Sequence, residues 1–273
     1  MDVKLLQRTS FKYNFLKSVI FRLDFLGVLQ PEMEKVLMVI KPFLKSEGFN
    51  RYDERIENSV SINIDNNGIQ AQRNVNQIKV FSFTNDDNGC SVDMSSNFVC
   101  LKLNTDKYIR FEEYAKTFYR IVDSYQNQLD YFVMKRLGLR KINFCFVDDI
   151  GRIKRYFSDK YFSINDTCER SLLINSRKEE HIIIDQTKMN LNYLIEQGSI
   201  EGNKMFKVSI DSDAYLDNSN DIEKAFSEEG FSSLNDIIFK VYVNALSEEM
   251  INCLTNDEGI EDVGVLGVES NEQ

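Results

Sequence analysis

Residues 78–103 decide the fold class: Ile78-Lys79-Val80-Phe81-Ser82-Phe83, the loop Asn85-Asp86-Asp87-Asn88-Gly89, then Cys90 to Met94 and Phe98 to Leu103. Each apolar run is too short for a stable helix, and the loop consists of residues that tolerate positive φ. Short β-rich runs separated by such loops predict an antiparallel meander. The preceding run, Val60-Ser61-Ile62-Asn63-Ile64, enters Asp65-Asn66-Asn67-Gly68, a second hairpin signal of the same kind.

Working outward, Phe21, Leu23 and Phe25 alternate with Arg22 and Asp24, which predicts a strand with one wet face. Pro31 suits the first turn of a helix in which Met33, Val36, Leu37, Ile40 and Leu44 form one stripe, ending near Gly48. On the other side, Phe111, Tyr114, Ala115, Phe118, Ile121, Val122, Tyr125, Leu129 and Phe132 keep helical spacing, so a long amphipathic helix is expected to lie across the sheet.

The second half repeats the scheme. Arg136 to Val147 reads as a strand and Arg152 to Phe162 as a short basic amphipathic piece. Strands follow at about 170–185, 188–197 and 204–212, with Gly198-Ser199-Ile200-Glu201-Gly202 joining the last two. A long helical region then fills 220–254, with Ser232 or Ser233 as cap. The expected class is therefore α+β, a largely antiparallel sheet covered by two long helices. An internal duplication is expected, strand-helix-strands-helix twice. The expected organisation is 1–134 as the first half, 135–254 as the second, packed as one unit with it, and 255–273 as an acidic flexible tail. The first ten residues are expected to be loose as well.

Composition narrows the class. The chain has 273 residues, 42% hydrophobic, 28% charged and two prolines, enough apolar content for a packed core. No apolar run approaches the roughly 20 residues of a membrane-spanning helix, and Met1 to Arg8 lacks a secretory h-region. A cytoplasmic protein is expected. The five cysteines, Cys90, Cys100, Cys145, Cys168 and Cys253, are widely spaced and never form a C-x-x-C pair, so they read as buried thiols. No cofactor is expected.

Most enzyme classes lose their basis in the single histidine, His181. The chain has no G-x-S-x-G elbow, no H-E-x-x-H, no G-x-x-x-x-G-K-[ST] and no G-x-G-x-x-G. Asp211-Ser212-Asp213 with Asp217 and Asp221 imitates a calcium loop, but Leu216 stands where glycine is required and Ile222 where glutamate is. No metal site is expected.

The formal charge of -10 hides an asymmetry. Residues 211–273 hold 16 acidic and two basic residues, net -14, which leaves 31 basic and 27 acidic elsewhere, net +4. Basic residues cluster at Lys135, Arg136, Arg140, Lys141, Arg152, Lys154 and Arg155. Such segregation marks a partner surface, an intramolecular match or solvated faces. Within Lys135-Arg136-Leu137-Gly138-Leu139-Arg140-Lys141-Ile142-Asn143, strand alternation sets Arg136, Gly138 and Arg140 on one face. Two parallel arginines about 7 Å apart, with no side chain between them, suit an incoming carboxylate, phosphate or peptide backbone. Their alternative role is to pair with acids on a covering helix.

The strand Val19 to Phe25, the Tyr108 to Tyr125 helix and the R-x-G-L-R-x-I-N run at Arg136 to Asn143, with the Asp211 strand and its following helix, carry a resemblance across most of the chain. It resembles a sporadically distributed family of uncharacterised bacterial proteins of about this length. Only the R-x-G-L-R-x-I-N run is specific. Lys141 stands where that family usually has an aromatic residue, and the family's tryptophans are missing. The resemblance implies a bacterial cytoplasmic protein of patchy, defence-linked occurrence, and it transfers no catalytic residue.

Three functional readings stand at the level of sequence. The first is a non-enzymatic interaction protein, antitoxin-like or a phage-defence accessory, with a protein partner. It would act through the acidic last quarter and a binding strand of Arg136, Gly138, Arg140 and Asn143. The second is nucleic-acid binding by segment 135–162, with Arg152, Lys154, Arg155 and Tyr156 supplying charge and stacking. A small-molecule pocket between the two halves is the third, and homo-oligomerisation remains open with each.

Overall fold

The computed structural model describes residues 10–26, 28–65, 68–104, 111–164, 174–227, 230–256, 265–266 and 269–270. In chain order the elements are Tyr13–Asn14 (β1), Leu16–Leu26 (β2), Gln30–Ser46 (α1), Arg51–Asp65 (β3), Gly68–Asn85 (β4), Cys90–Met94 (β5) and Phe98–Asn104 (β6). Then come Phe111–Gln126 (α2), Val133–Val147 (β7), Ile150–Tyr156 (α3), Asn175–Ile184 (β8), Thr187–Ile200 (β9) and Asn203–Leu216 (β10). Ser219–Ser227 (α4), Gly230–Asn244 (α5), Glu248–Thr255 (α6), Val265–Leu266 (β11) and Glu269–Ser270 (β12) complete the described chain. The class is α+β: a large antiparallel sheet in the order β3-β4-β5-β6-β2-β7-β10-β9-β8, with six helices among the described residues. None of the helices is long and apolar enough to cross a membrane.

The chain divides into two compact units, residues 21–137 with 217–223, and residues 1–20, 138–216 and 224–273. In the first unit, α1 buries Met33, Val36, Leu37, Ile40 and Leu44, the stripe its spacing predicts. Its first turn is tied by the Leu29 N–H donating to the Glu32 carboxylate at 2.7 Å. Helix α2 buries Phe111, Ala115, Phe118, Ile121, Val122 and Tyr125. Its rings meet the inward face of β2, with Phe21 5.3 Å from Phe111 and 5.9 Å from Phe118, and Phe25 5.0 Å from Tyr125. The expected continuation to Phe132 does not occur. Asn127 and Gln128 turn the chain, and Leu129 N–H donates to the Gln126 carbonyl. Phe21 and Phe25 thus turn to α2, whereas Arg22 and Asp24, alternating with them on β2, take the opposite face.

The second unit buries Leu137's neighbour on the same strand face, Leu139, then Cys145 and Val147 of β7, and Val208, Ile210 and Ala214 of β10. Phe15 packs 5.2 Å from Tyr242 of α5 and 6.2 Å from Phe157. The β9–β10 connection shrinks from the expected five residues to two, Glu201 and Gly202, at φ +50° and +83°. Both residues in the left-handed region match the right-handed twist of a two-residue hairpin. The expected long helix over 220–254 is instead three helices. Gly230 opens α5 against Ala225 of α4, where an added Cβ would lie 2.3 Å from the Ala225 Cβ. Leu246 leaves the helix to bridge Phe157, and Ser247 then caps α6 by accepting from Met250 N–H at 3.1 Å. Ser232 and Ser233 accordingly lie inside α5. Most of the expected tail, like the first nine residues, lies outside the described residues. Its described segments, β11 and β12, pair with β7 and β1.

Two buried tyrosines make opposite predictions. Tyr125 donates to the Ser95 carbonyl at 2.7 Å, so Tyr125→Phe should cost about 1 kcal/mol by stranding a buried acceptor. The buried Tyr242 hydroxyl has no hydrogen-bond partner among the described residues, so Tyr242→Phe should be neutral or stabilising by up to about 1 kcal/mol. Urea denaturation of the two variants checks the pair.

Candidate functional site

The expected binding strand is already occupied by the protein's own carboxylates. Arg136 Nη1 lies 3.5 Å from Asp24 Oδ2 on β2, within the first unit. In the second unit, Arg140 grips Asp211 of β10 with both arms of its guanidinium, Nε to Oδ1 at 2.8 Å and Nη2 to Oδ2 at 2.5 Å. The pairing acids sit on neighbouring strands rather than on a covering helix. Gly138 is buried, and Asn143 is buried with its amide donating to the Ile210 carbonyl at 3.4 Å.

Segment 150–162 is likewise tied down. Arg152 pairs with Asp148 at 3.1 Å, Arg155 donates from Nε to Glu249 at 2.6 Å, and Lys154 also has a partner. Tyr156 is 2% exposed, with Phe157 and Phe162 beside it in the core. A ring that closes the core is no stacking platform for a base. Part of the charge asymmetry is thus an intramolecular match, since Asp211 and Glu249 belong to the acidic last quarter.

The first unit has a cleft that sequence reasoning missed. It opens on the sheet face away from α2, with a volume of about 500 Å³, and is lined by Arg51, Tyr52, Asp53, Arg55, Ser82, Thr84, Ser91, Asp93 and Lys102. Strand pairing builds it in rows. Arg51 is opposite Thr84, Thr84 opposite Ser91, and Ser91 opposite Lys102. One register step along, Asp53, Ser82 and Asp93 form the next row.

Asp93 is the buried charge of the cleft, with its side chain 5% exposed. Arg55 donates to it from Nη1 at 3.2 Å and Nη2 at 2.9 Å, Lys102 from Nζ at 2.5 Å, and Ser82 from its hydroxyl at 2.6 Å. Ser82 in turn accepts from Arg55. Burial alone would raise the carboxyl, but the hydrogen bonds from Arg55, Lys102 and Ser82 prevail and hold it at about 2. Asp93 therefore stays ionised at neutral pH and acts as an anchor for two cations. It is not a proton donor.

None of the described cysteines is poised as a nucleophile: even Cys253, which is half-buried where a buried thiol was expected, has its thiol raised by burial. Burial pushes Cys90 up to about 11 and Cys100 and Cys145 up to about 12, and Cys168 lies outside the described residues. Among the described residues, no group of three or more His, Cys, Asp or Glu side chains is placed to hold a metal ion. His181 is exposed on β8, its Nδ1 2.8 Å from Asn190 Oδ1. The cleft could have been sought in the sequence. A lone aspartate alternates with apolar residues in Cys90-Ser91-Val92-Asp93-Met94, and a lone lysine does so in Phe98 to Leu103.

No protein family and no curated protein matches the chain. Among solved structures, the S. pombe Pct1 RNA triphosphatase aligns at 6% identity over 90% of this chain and 87% of that one. Its TM-score of 0.11 is too low for the likeness to carry an argument.

Proposed function

We propose that the protein is a non-enzymatic binding protein that takes a small polar ligand in the cleft of its first unit. The observation that carries this reading is the ion cluster in the cleft, where a buried carboxylate fixes Arg55, Lys102 and Ser82 around a space of about 500 Å³. That volume falls in the range of small-molecule sites, and the polar lining selects a polar ligand. Side chains held by mutual hydrogen bonds lose little further freedom on binding.

The interaction and nucleic-acid readings have less support, because the arginines they rely on are engaged by Asp24, Asp211 and Glu249. The same proposal takes α2 and α5, of 16 and 15 residues, as the two covering helices of a duplicated scheme.

A thermal-shift panel of polar metabolites tests the reading, run on the natural chain and on Ser91→Phe, which fills the cleft from the face of β5. A ligand at 100 times its Kd adds about 2.7 kcal/mol, a rise of several degrees in Tm. We expect such a rise in the natural chain and its loss in Ser91→Phe. A panel without a stabilising compound, or with rises indifferent to Ser91→Phe, would reject it.

A further inference from the structure

We infer that the ligand presents a tetrahedral oxyanion, a phosphate group, which the cleft seats between Arg51 and Lys102 on the hydroxyls of Thr84 and Ser91. This rests on the cleft being the ligand site, and it adds the class of ligand. The row Arg51-Thr84-Ser91-Lys102 runs straight across four adjacent strands. All four residues line the same cleft. Cation, hydroxyl, hydroxyl and cation thus follow one another, at about 4.8 Å per strand.

Donor accounting separates these four from the rest of the lining. Arg55 spends its guanidinium on Asp93, Ser82 and Glu57. Lys102 places one of its three protons on Asp93. Arg51 is 70% exposed, and its ion pair is a 3.3 Å contact with Asp86, itself 62% exposed. An exposed pair of that kind is weak and exchanges readily for a more highly charged anion. The side-chain hydroxyls of Thr84 and Ser91 have no hydrogen-bond partner among the described residues. The spare donors of the cleft are therefore those of Arg51, Thr84, Ser91 and Lys102.

Their geometry favours phosphate over carboxylate. A carboxylate offers two coplanar oxygens, which a single arginine fork satisfies. A phosphate group offers three oxygens in different directions and about two negative charges, suited to two flanking cations over a floor of two hydroxyls. Asp53 in the neighbouring row accepts the Glu54 N–H at 2.9 Å, which occupies part of its own charge. Asp93 is a positioning residue, since it holds Lys102 through a charge-assisted hydrogen bond and has no spare proton to give.

Calorimetric titration of the full chain with inorganic phosphate and with pyrophosphate at low salt tests this, with acetate and citrate as carboxylate probes. We expect saturable binding of the phosphate probes that weakens with added salt, and no comparable binding of acetate or citrate. Arg51→Gln, an exposed change that leaves the Asp93 cluster intact, should weaken it about tenfold or more. Thr84→Val should weaken it severalfold, while Lys116→Gln on α2 should not change it. Absence of saturable phosphate binding, affinity indifferent to both cleft variants, or equal binding of the carboxylate probes would overturn the inference. A neutral compound that stabilises the natural chain, is lost in Ser91→Phe and ignores Arg51→Gln would refute the oxyanion while upholding the cleft.

Discussion

Asp93→Asn is expected to lower stability at pH 7 by about 2 kcal/mol and to flatten the loss of stability below pH 4. The carboxyl titrates at about 2 in the folded chain and near 3.9 when unfolded. A group with a depressed folded value stabilises the protein above the unfolded value, and that stability disappears as pH falls through the folded one. The contribution is therefore complete at neutral pH and is lost between about pH 4 and pH 2. The linkage sets an upper figure. Lys102 and Arg55 are 44% and 38% exposed, so water compensates part of what they lose. Asparagine keeps the shape and can still accept from Ser82, so the difference reports charge rather than a cavity. Urea denaturation at pH 7, 4 and 2.5 reads both effects. Equal midpoints at pH 7 and parallel pH profiles would show that the cluster adds nothing to stability.

That cluster also shows where sequence legibility ends. The stripe from Met33 to Leu44 and the run from Phe111 to Tyr125 declare their helices because burial follows the 3.6 period, and the structure buries those residues. Along β7 the buried Leu137, Leu139, Asn143, Cys145 and Val147 keep the two-residue period of a strand. Helix breaks are harder to read, because the apolar stripe persists through them. Leu246 pairing with Phe157, 89 residues earlier, is a tertiary contact beyond the end of α5 that has no local signal of matching strength.

The partners of the arginines were hidden for a related reason. Arg140 and Asp211 are 71 residues apart and meet because β7 lies beside β10, an adjacency that no spacing in the sequence encodes. Asp93 alternates with apolar residues as an outward-facing strand residue does. It becomes buried because Arg55, 38 residues away, and Lys102 close over it. Register across four strands, which aligns Arg51, Thr84, Ser91 and Lys102, depends on turn lengths and bulges and is legible only once pairing is known. The core was thus readable from periodicity, whereas the site was a product of pairing.

Phe118→Ala is expected to give the largest loss, about 3–5 kcal/mol. Phe118 is fully buried on α2, its ring stacked on Phe21 at 5.9 Å with 28° between the planes, and Phe21 also packs 5.3 Å from Phe111. Truncation removes most of a buried ring's transfer free energy and leaves a cavity between helix and sheet. Collapse is restrained there because Tyr125, two turns further along α2, is fixed by its hydrogen bond to the Ser95 carbonyl. The aromatic contact itself adds about 1 kcal/mol to the loss. Tyr131→Ser provides the contrast. Its ring is 77% exposed, so the change should stay within about 0.5 kcal/mol. Urea unfolding followed by circular dichroism compares the two, and amide exchange locates the effect: protection along α2 and β2 should fall in Phe118→Ala, while that of α5 and β10 falls less. Equal midpoints for the two variants would mean that α2 is not anchored to β2 through this ring.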